Sequence, residues 1–252
     1  MGKKQLFIAL GGLCLVTVLF IFGRTVATKT NTPVDTTAVS AKIFDIKSFI
    51  KKKKGHLTPS QAIRLSKLEN NVTRGDVKEQ LIVANTALAN FWKDSAHTPE
   101  PYFYYLSEAA KLDKSEKNLT FAAQLILHNL RSEQDEAKLN WKTAEAIALF
   151  EKGVELYPNN DDLKIGLGSC YIFGKGRTGN ATETMKGIQQ LLSVVRKDSN
   201  NMKAQMMLGV GGYVSGQYDK AIERLQNVVE AQPNNMEAIA FLADTYAAKG
   251  DK

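Results

Sequence analysis

Two stretches of this chain repeat each other at a spacing of 34 residues. "MKAQMMLGVGGYVSGQYDKAIERLQNVVEAQPNN" fills residues 202–235, and "MEAIAFLADTYAAKGDK" then restates its first half from residue 236. Leu208-Gly209 falls on Leu242-Ala243, and Gly216 falls on Gly250. Upstream, Leu167-Gly168 precedes Leu208-Gly209 by 41 residues. Ala146, Phe150, Gly153 and Pro158 precede Ala221, Leu225, Val228 and Pro233 by 75 residues, one step of 34 and one of 41, so the register closes. A period of this length marks one supersecondary unit copied along the chain. No such unit buries its apolar face alone, so neighbouring units must stack.

The units are helical in pattern. Apolar residues recur at helical spacing between breaks rich in Pro, Asn, Asp and Gly, and no alternating strand pattern is present. Helices are expected to start near Asp76, Asn118, Thr143, Asp161, Thr182, Met202, Asp219 and Met236. Thr58, Pro59 and Gln61 spell a capping box with proline at the first helical position.

These matched positions over residues 144–252 resemble the tetratricopeptide repeat family. The resemblance implies an all-α fold, with antiparallel helix-turn-helix units stacked as a solenoid. Small residues (Gly168, Gly209, Ala221, Ala243) would sit where backbones cross. Larger ones (Phe150, Tyr171, Leu225, Tyr246) would fill between layers, and proline or asparagine would end each second helix. Residues 76–143 are expected to hold degenerate helical pairs by continuity. The run "LGSCYIFGKG", residues 167–176, is similar to the longer Sel1-like variant of these repeats, Leu-Gly-x-x-Tyr-x-x-Gly-x-Gly.

That longer unit contains "FGKGRTGNAT", residues 173–182, which also invites comparison with a phosphate-binding loop. A P-loop places four residues between its first glycine and Gly-Lys-Ser/Thr, and it follows a strand. Here Lys175 follows Gly174 directly. The stretch reads as an extended turn between two helices, with glycines expected to supply positive φ at a helix C-cap.

The N-terminus is of another character. Residues 6–23, "LFIALGGLCLVTVLFIFG", carry no charge. This length exceeds a secretory h-region of ~7–15 residues and matches a spanning helix of ~17–25. A retained transmembrane signal-anchor is expected after a basic tail (residues 1–5). The alternative is a cleavable signal ending at Ala27. Residues 24–41 are Thr-rich with Pro33 and read as a flexible linker. Residues 42–75 follow as a basic, amphipathic segment. Ile43, Ile46, Phe49 and Ile50 share one helical face, closed by Lys51 to Lys54. That face suits either an anionic membrane surface or the first helix of the core. The basic tail points to a cytoplasmic N-terminus and an extracytoplasmic repeat domain, periplasmic in a bacterium.

Charge excludes one class of partner. The net charge is +7, but residues 1–56 hold ten basic and two acidic side chains. The remaining 23 basic and 24 acidic residues nearly cancel, so the repeats carry no field for nucleic acid. Cys14 lies in the apolar run and Cys170 reads as a packing residue. His56, His97 and His128 share no metal-ligand spacing. No cofactor, metal or catalytic group is expected.

The family resemblance implies that first helices line a concave groove. The residues so placed are Ile165, Ser169 and Phe173; then Lys203, Met206, Val210 and Tyr213; then Phe241 and Asp244, with Asp162 and Glu237 at the rim. The Lys and Asn side chains with which some members clamp a C-terminal carboxylate are missing, since Ile165, Ser169, Met206, Val210, Ala240 and Asp244 stand there. An apolar groove of this kind suits an extended or helical peptide. The alternative is that the face packs against the protein's own N-terminal helices. The last helix either caps the stack or offers residues 239–247 for self-association. The expected function is a membrane-anchored adaptor for a protein partner. A self-associating scaffold stands beside it, as does an assembly factor resembling the periplasmic cytochrome c maturation repeat proteins.

Overall fold

A computed structural model describes residues 43–74, 77–178 and 180–250. The expected signal-anchor, the linker, Cys14 and Asp76 lie outside the described residues. Among those described, no helix is long and apolar enough to cross a membrane.

The described residues form eleven α-helices and no strand: α1 (Ile46–Lys54), α2 (Pro59–Arg74), α3 (Lys78–Asp94), α4 (Pro99–Asp113), α5 (Glu116–Leu130), α6 (Glu136–Leu156), α7 (Asp161–Cys170), α8 (Ala181–Lys197), α9 (Met202–Val214), α10 (Tyr218–Ala231) and α11 (Met236–Lys249). From α2 onward consecutive helices pack on each other, α1 packs on α4, and α5, α7, α9 and α11 also touch in series, so alternate helices form one row.

Local chemistry explains the boundaries. Thr58 and Gln61 make the capping box reciprocally: the Thr58 N–H donates to Gln61 Oε1 (2.9 Å) and the Gln61 N–H to Thr58 Oγ1 (3.3 Å). The asparagines of the repeats do not end second helices. Asn160, Asn180, Asn201 and Asn235 instead cap the start of α7, α8, α9 and α11, each accepting from the N–H three residues on at 3.1–3.2 Å. The side-chain oxygen satisfies one donor that the first helical turn leaves unpaired. Thr143 does not open a helix. It lies inside α6, where its hydroxyl donates to the Leu139 carbonyl (2.7 Å). The boundary expected at residues 143/144 therefore falls within one continuous helix.

The extended turn of the longer unit is resolved by packing rather than by backbone freedom. After Cys170 the chain widens into a π-helical turn, Tyr171–Lys175, then tightens into a 3₁₀ turn, Gly176–Thr178. Gly176 has a right-handed φ of −63°. The described glycines with positive φ are Gly216 and Gly250, so the expected left-handed role fails for Gly174 and Gly176. A Cβ on Gly174 would lie 2.3 Å from Thr143 Cγ2, 2.4 Å from its Oγ1 and 2.9 Å from its Cβ, so turning this buried, β-branched side chain about χ1 would not clear the clash. Glycine stands at 174 because α6 leaves it no room.

The N-terminal segment resolves toward a core helix. Ile50 is buried among Leu65, Leu88, Phe91 and Trp92, with Ile46 packed beside them. Phe49 lies under the Lys53 and Lys138 ammonium groups, 5.4 and 5.2 Å from its centroid. Ile43 alone of the expected face is exposed, at 90%. Ala243, expected at a close crossing, is also exposed, whereas Gly168, Gly209 and Ala221 are buried.

Gly174→Ala is expected to cost about 1–3 kcal/mol through overpacking against Thr143, read as a lower urea midpoint. Lys114 caps α4 in the left-handed region (φ 60°). Lys114→Gly is expected to raise stability by about 1 kcal/mol, because glycine adopts that conformation without the Cβ clash.

Candidate protein-binding face

The row α5, α7, α9 and α11 carries the residues the family resemblance placed in the groove, except Phe173 and its neighbour Ile172, which sit in the π-helical turn after α7. Their surroundings divide them. Ile165 and Val210 belong to one buried cluster with Ile172, Leu191 and Leu208; Ile165 is 8% exposed and Val210 0%. Met206, also 8% exposed, packs with Leu225, Val228 and Ala238. Ser169 is buried, and its hydroxyl donates back to the Ile165 carbonyl (2.8 Å). Ile165, Val210 and Met206 fill the core beneath the first helices, and Ser169 is buried beside them on α7. They do not face an open channel, because neighbouring helices of the row touch directly.

What remains at the surface is an aromatic strip with charges beside it. Phe173, Tyr213 and Phe241 are each half-buried. The Tyr213 ring meets Phe241 edge-on at 6.2 Å and Tyr218 at 6.4 Å. Lys203 and Asp244 are exposed. Lys203 pairs with Asp162 on the preceding first helix at 3.2 Å. Both partners are largely solvated, so this pair contributes at most ~1 kcal/mol.

The strip is bounded by a part of the chain that repeat spacing did not point to. The α5–α6 loop reaches the face through Arg131. Its guanidinium lies 4.4 Å from the centroid of Phe173, and it also pairs with Glu237 at the start of α11. Arg177 from the 3₁₀ turn donates to the Glu133 carbonyl (3.1 Å). Glu133 holds the loop in shape by accepting from the Gln134 and Asp135 N–H groups, both at 2.9 Å, and from the buried Lys142 ammonium at 2.5 Å. Burial pushes the Glu133 carboxyl upward. Lys142 and the two backbone donors outweigh it and hold the group below the ordinary carboxylate range. Part of the face therefore packs against the α5–α6 loop of the same chain. Arg131 and Glu237 are 106 residues apart and in different units, so no local signal marks them.

Little else on this face offers chemistry. Cys170 is fully buried and desolvation drives its thiol pKa up, which keeps it protonated. His128 is exposed on α5. Among the described residues no group of three or more His, Cys, Asp and Glu is placed to hold a metal.

Geometry of this kind defines a class: an all-helical protein of stacked two-helix units. The class has a more particular counterpart in the C-terminal unit, where residues 215–252 match the tetratricopeptide repeat family. The chain is also similar to a solved tetratricopeptide repeat protein from Parabacteroides merdae ATCC 43184. The two are 15% identical over 77% of this chain and 75% of that one, with a TM-score of 0.38. No curated protein sequence matches.

The Glu133 network makes stability acid-sensitive. A carboxyl with a depressed folded-state pKa stabilises fully above its unfolded value, about 4.3, and loses that contribution as pH falls through the folded value. Urea unfolding from about pH 6 down to about pH 3 should therefore show a shallower acid loss in Glu133→Gln than in the unsubstituted protein. At neutral pH the variant should be less stable by about 1–3 kcal/mol, since the Lys142 ammonium loses its charged partner.

Proposed function

We propose that this protein is a non-catalytic scaffold that docks a protein partner on the strip formed by Phe173, Tyr213 and Phe241. The observation that carries the reading is that strip itself: aromatic side chains from three successive units, each half-buried on a row whose Ile165, Met206 and Val210 are buried. Tyrosine and phenylalanine on rigid helices give contact area at low entropic cost, and they are favoured as anchors in interfaces. Lys203, Asp244 and Glu237 supply a polar rim. The partner that fits is an amphipathic helix or extended segment with apolar anchors. Residues 6–23 would hold the scaffold at a membrane, with the repeats outside the cytoplasm.

A second reading has one observation behind it. Met236 is 70% exposed and Ile239 37% exposed on α11, giving an apolar surface for a second copy of this chain.

The two readings separate by photo-cross-linking of the full-length protein in its native membranes, with the cross-linker at position 218 beside the strip. Peptides from a different protein, reduced about tenfold by Tyr213→Ala, are expected. Cross-links only to this chain, unchanged by Tyr213→Ala and abolished by Ile239→Asp, would overturn the docking strip and leave self-association. Met206→Glu is unsuitable as the probe, because it buries a carboxylate in the α9–α11 seam and reports on folding.

A further inference from the structure

A separate cavity of about 860 Å³ lies at the other end of the described helices, walled by α1, α2, α3 and α4. Its chemistry is two-sided. Ile50, Val72, Leu81 and Leu112 give it apolar walls, and the rings of Tyr104 and Tyr105 extend them. Against these stand four ammonium groups: Lys47, Lys51 and Lys54, spaced by four and three residues on one face of α1, and Lys111 of α4.

The cations are not equivalent. Lys54 is paired with Glu69 at 2.5 Å. Lys111 is shared between Glu108 at 3.0 Å and Glu145 at 2.9 Å. Lys47 and Lys51 make no ion pair among the described residues. Set against Glu69, Glu108 and Glu145, the four lysines leave one net positive charge, on the side of Lys47 and Lys51; Asp45, the N-cap of α1, acts on Lys47 from outside the cavity lining. Cavities of this volume, mostly apolar with a few convergent polar groups, are the usual form of small-molecule sites. Desolvated walls strengthen the pull of an ammonium on an anion at their edge.

We infer that this cavity binds an anionic amphiphile of the fatty-acid class, its carboxylate at Lys47 and Lys51 and its acyl body along the apolar walls. This site is independent of the aromatic strip and does not rest on the scaffold reading. A compact polyanion fits poorly, since Glu69, Glu108 and Glu145 already occupy the inner cations and the remaining wall is apolar or aromatic apart from Asn85, whose amide donates to the Leu81 carbonyl. A neutral apolar molecule would leave the two lysines without an ionic partner.

The test uses the full-length chain in a nonionic sugar detergent, irradiated with a palmitic acid analogue that carries a diazirine on its acyl chain. Labelled peptides are mapped by mass spectrometry. Label is expected on α1 and α4, displaced by palmitate and about tenfold less effectively by hexadecanol, which has the same body and no charge. Lys47→Gln with Lys51→Gln should lower labelling about tenfold and leave the melting temperature unchanged, since both side chains are exposed. Val72→Phe, which narrows the cavity at its apolar wall and keeps both charges, should lower labelling. Equal displacement by hexadecanol, label spread over residues 6–23 or other surfaces, or indifference to all of these substitutions would each overturn the inference.

Discussion

Gly168 of α7 and Gly187 of α8 meet backbone to backbone. A Cβ on Gly187 would lie 2.7 Å from the Gly168 carbonyl oxygen, and one on Gly168 would lie 2.9 Å from the Gly187 carbonyl oxygen. No rotamer change relieves a clash with backbone, so the two helices hold this approach only with glycine on both sides. At other crossings side chains set the approach. Gly209 meets Leu225 and Gly166 meets Phe150, where the obstacle is a large residue filling the layer. The tight α7–α8 crossing brings Leu191 and Val194 under Ile165 and Ile172, and through that cluster it sets where α9 can lie. The row of first helices follows from it, and so do the half-exposed aromatics on that row.

The longer unit shows how an insertion is absorbed without breaking such a stack. The added residues coil into a π-helical turn and a 3₁₀ turn, and Gly174 nests against Thr143 of α6. The insertion then does work for the candidate face: Arg177 ties it to the α5–α6 loop, and Phe173 at its start receives the Arg131 guanidinium. The loop is itself stiffened by a largely buried Glu133–Lys142 pair. A pair of this kind is costly to break from one side, so it specifies a position more than it adds net stability. One end of the aromatic strip is thereby fixed to an upstream unit, while Tyr213 and Phe241 stay half-buried, Phe241 packing on the clusters around Ile165 and Met206.

Much of the architecture was legible because it rests on local rules. Thr58, Pro59 and Gln61 announced their helix start through short-range hydrogen bonds, and the 34- and 41-residue spacings located the units. The misreadings share a cause. Asn160, Asn201 and Asn235 stand between two helices, and spacing alone does not say whether an asparagine ends one or begins the next. Gly174 and Gly176 were consistent with positive φ, and only the neighbouring Thr143 and Thr184 side chains show that space is what they supply. Ile165, Ser169, Met206 and Val210 are at the inward positions that the family pattern assigns to a groove, but burial depends on how closely successive first helices approach. That distance is a tertiary quantity.

The sequence by itself determined the helical repeat, the cap at Thr58 and the near-neutral charge of the repeat region. All of these follow from interactions between residues a few positions apart or from periodicity, which a linear chain displays directly. The tertiary structure decided which apolar positions stay exposed, how Arg131 meets Glu237 across 106 residues, and where Lys47 and Lys51 stand relative to the walls of a cavity. These depend on the relative placement of elements far apart along the chain. They follow from side-chain volumes at every intervening crossing, and no single segment carries that information.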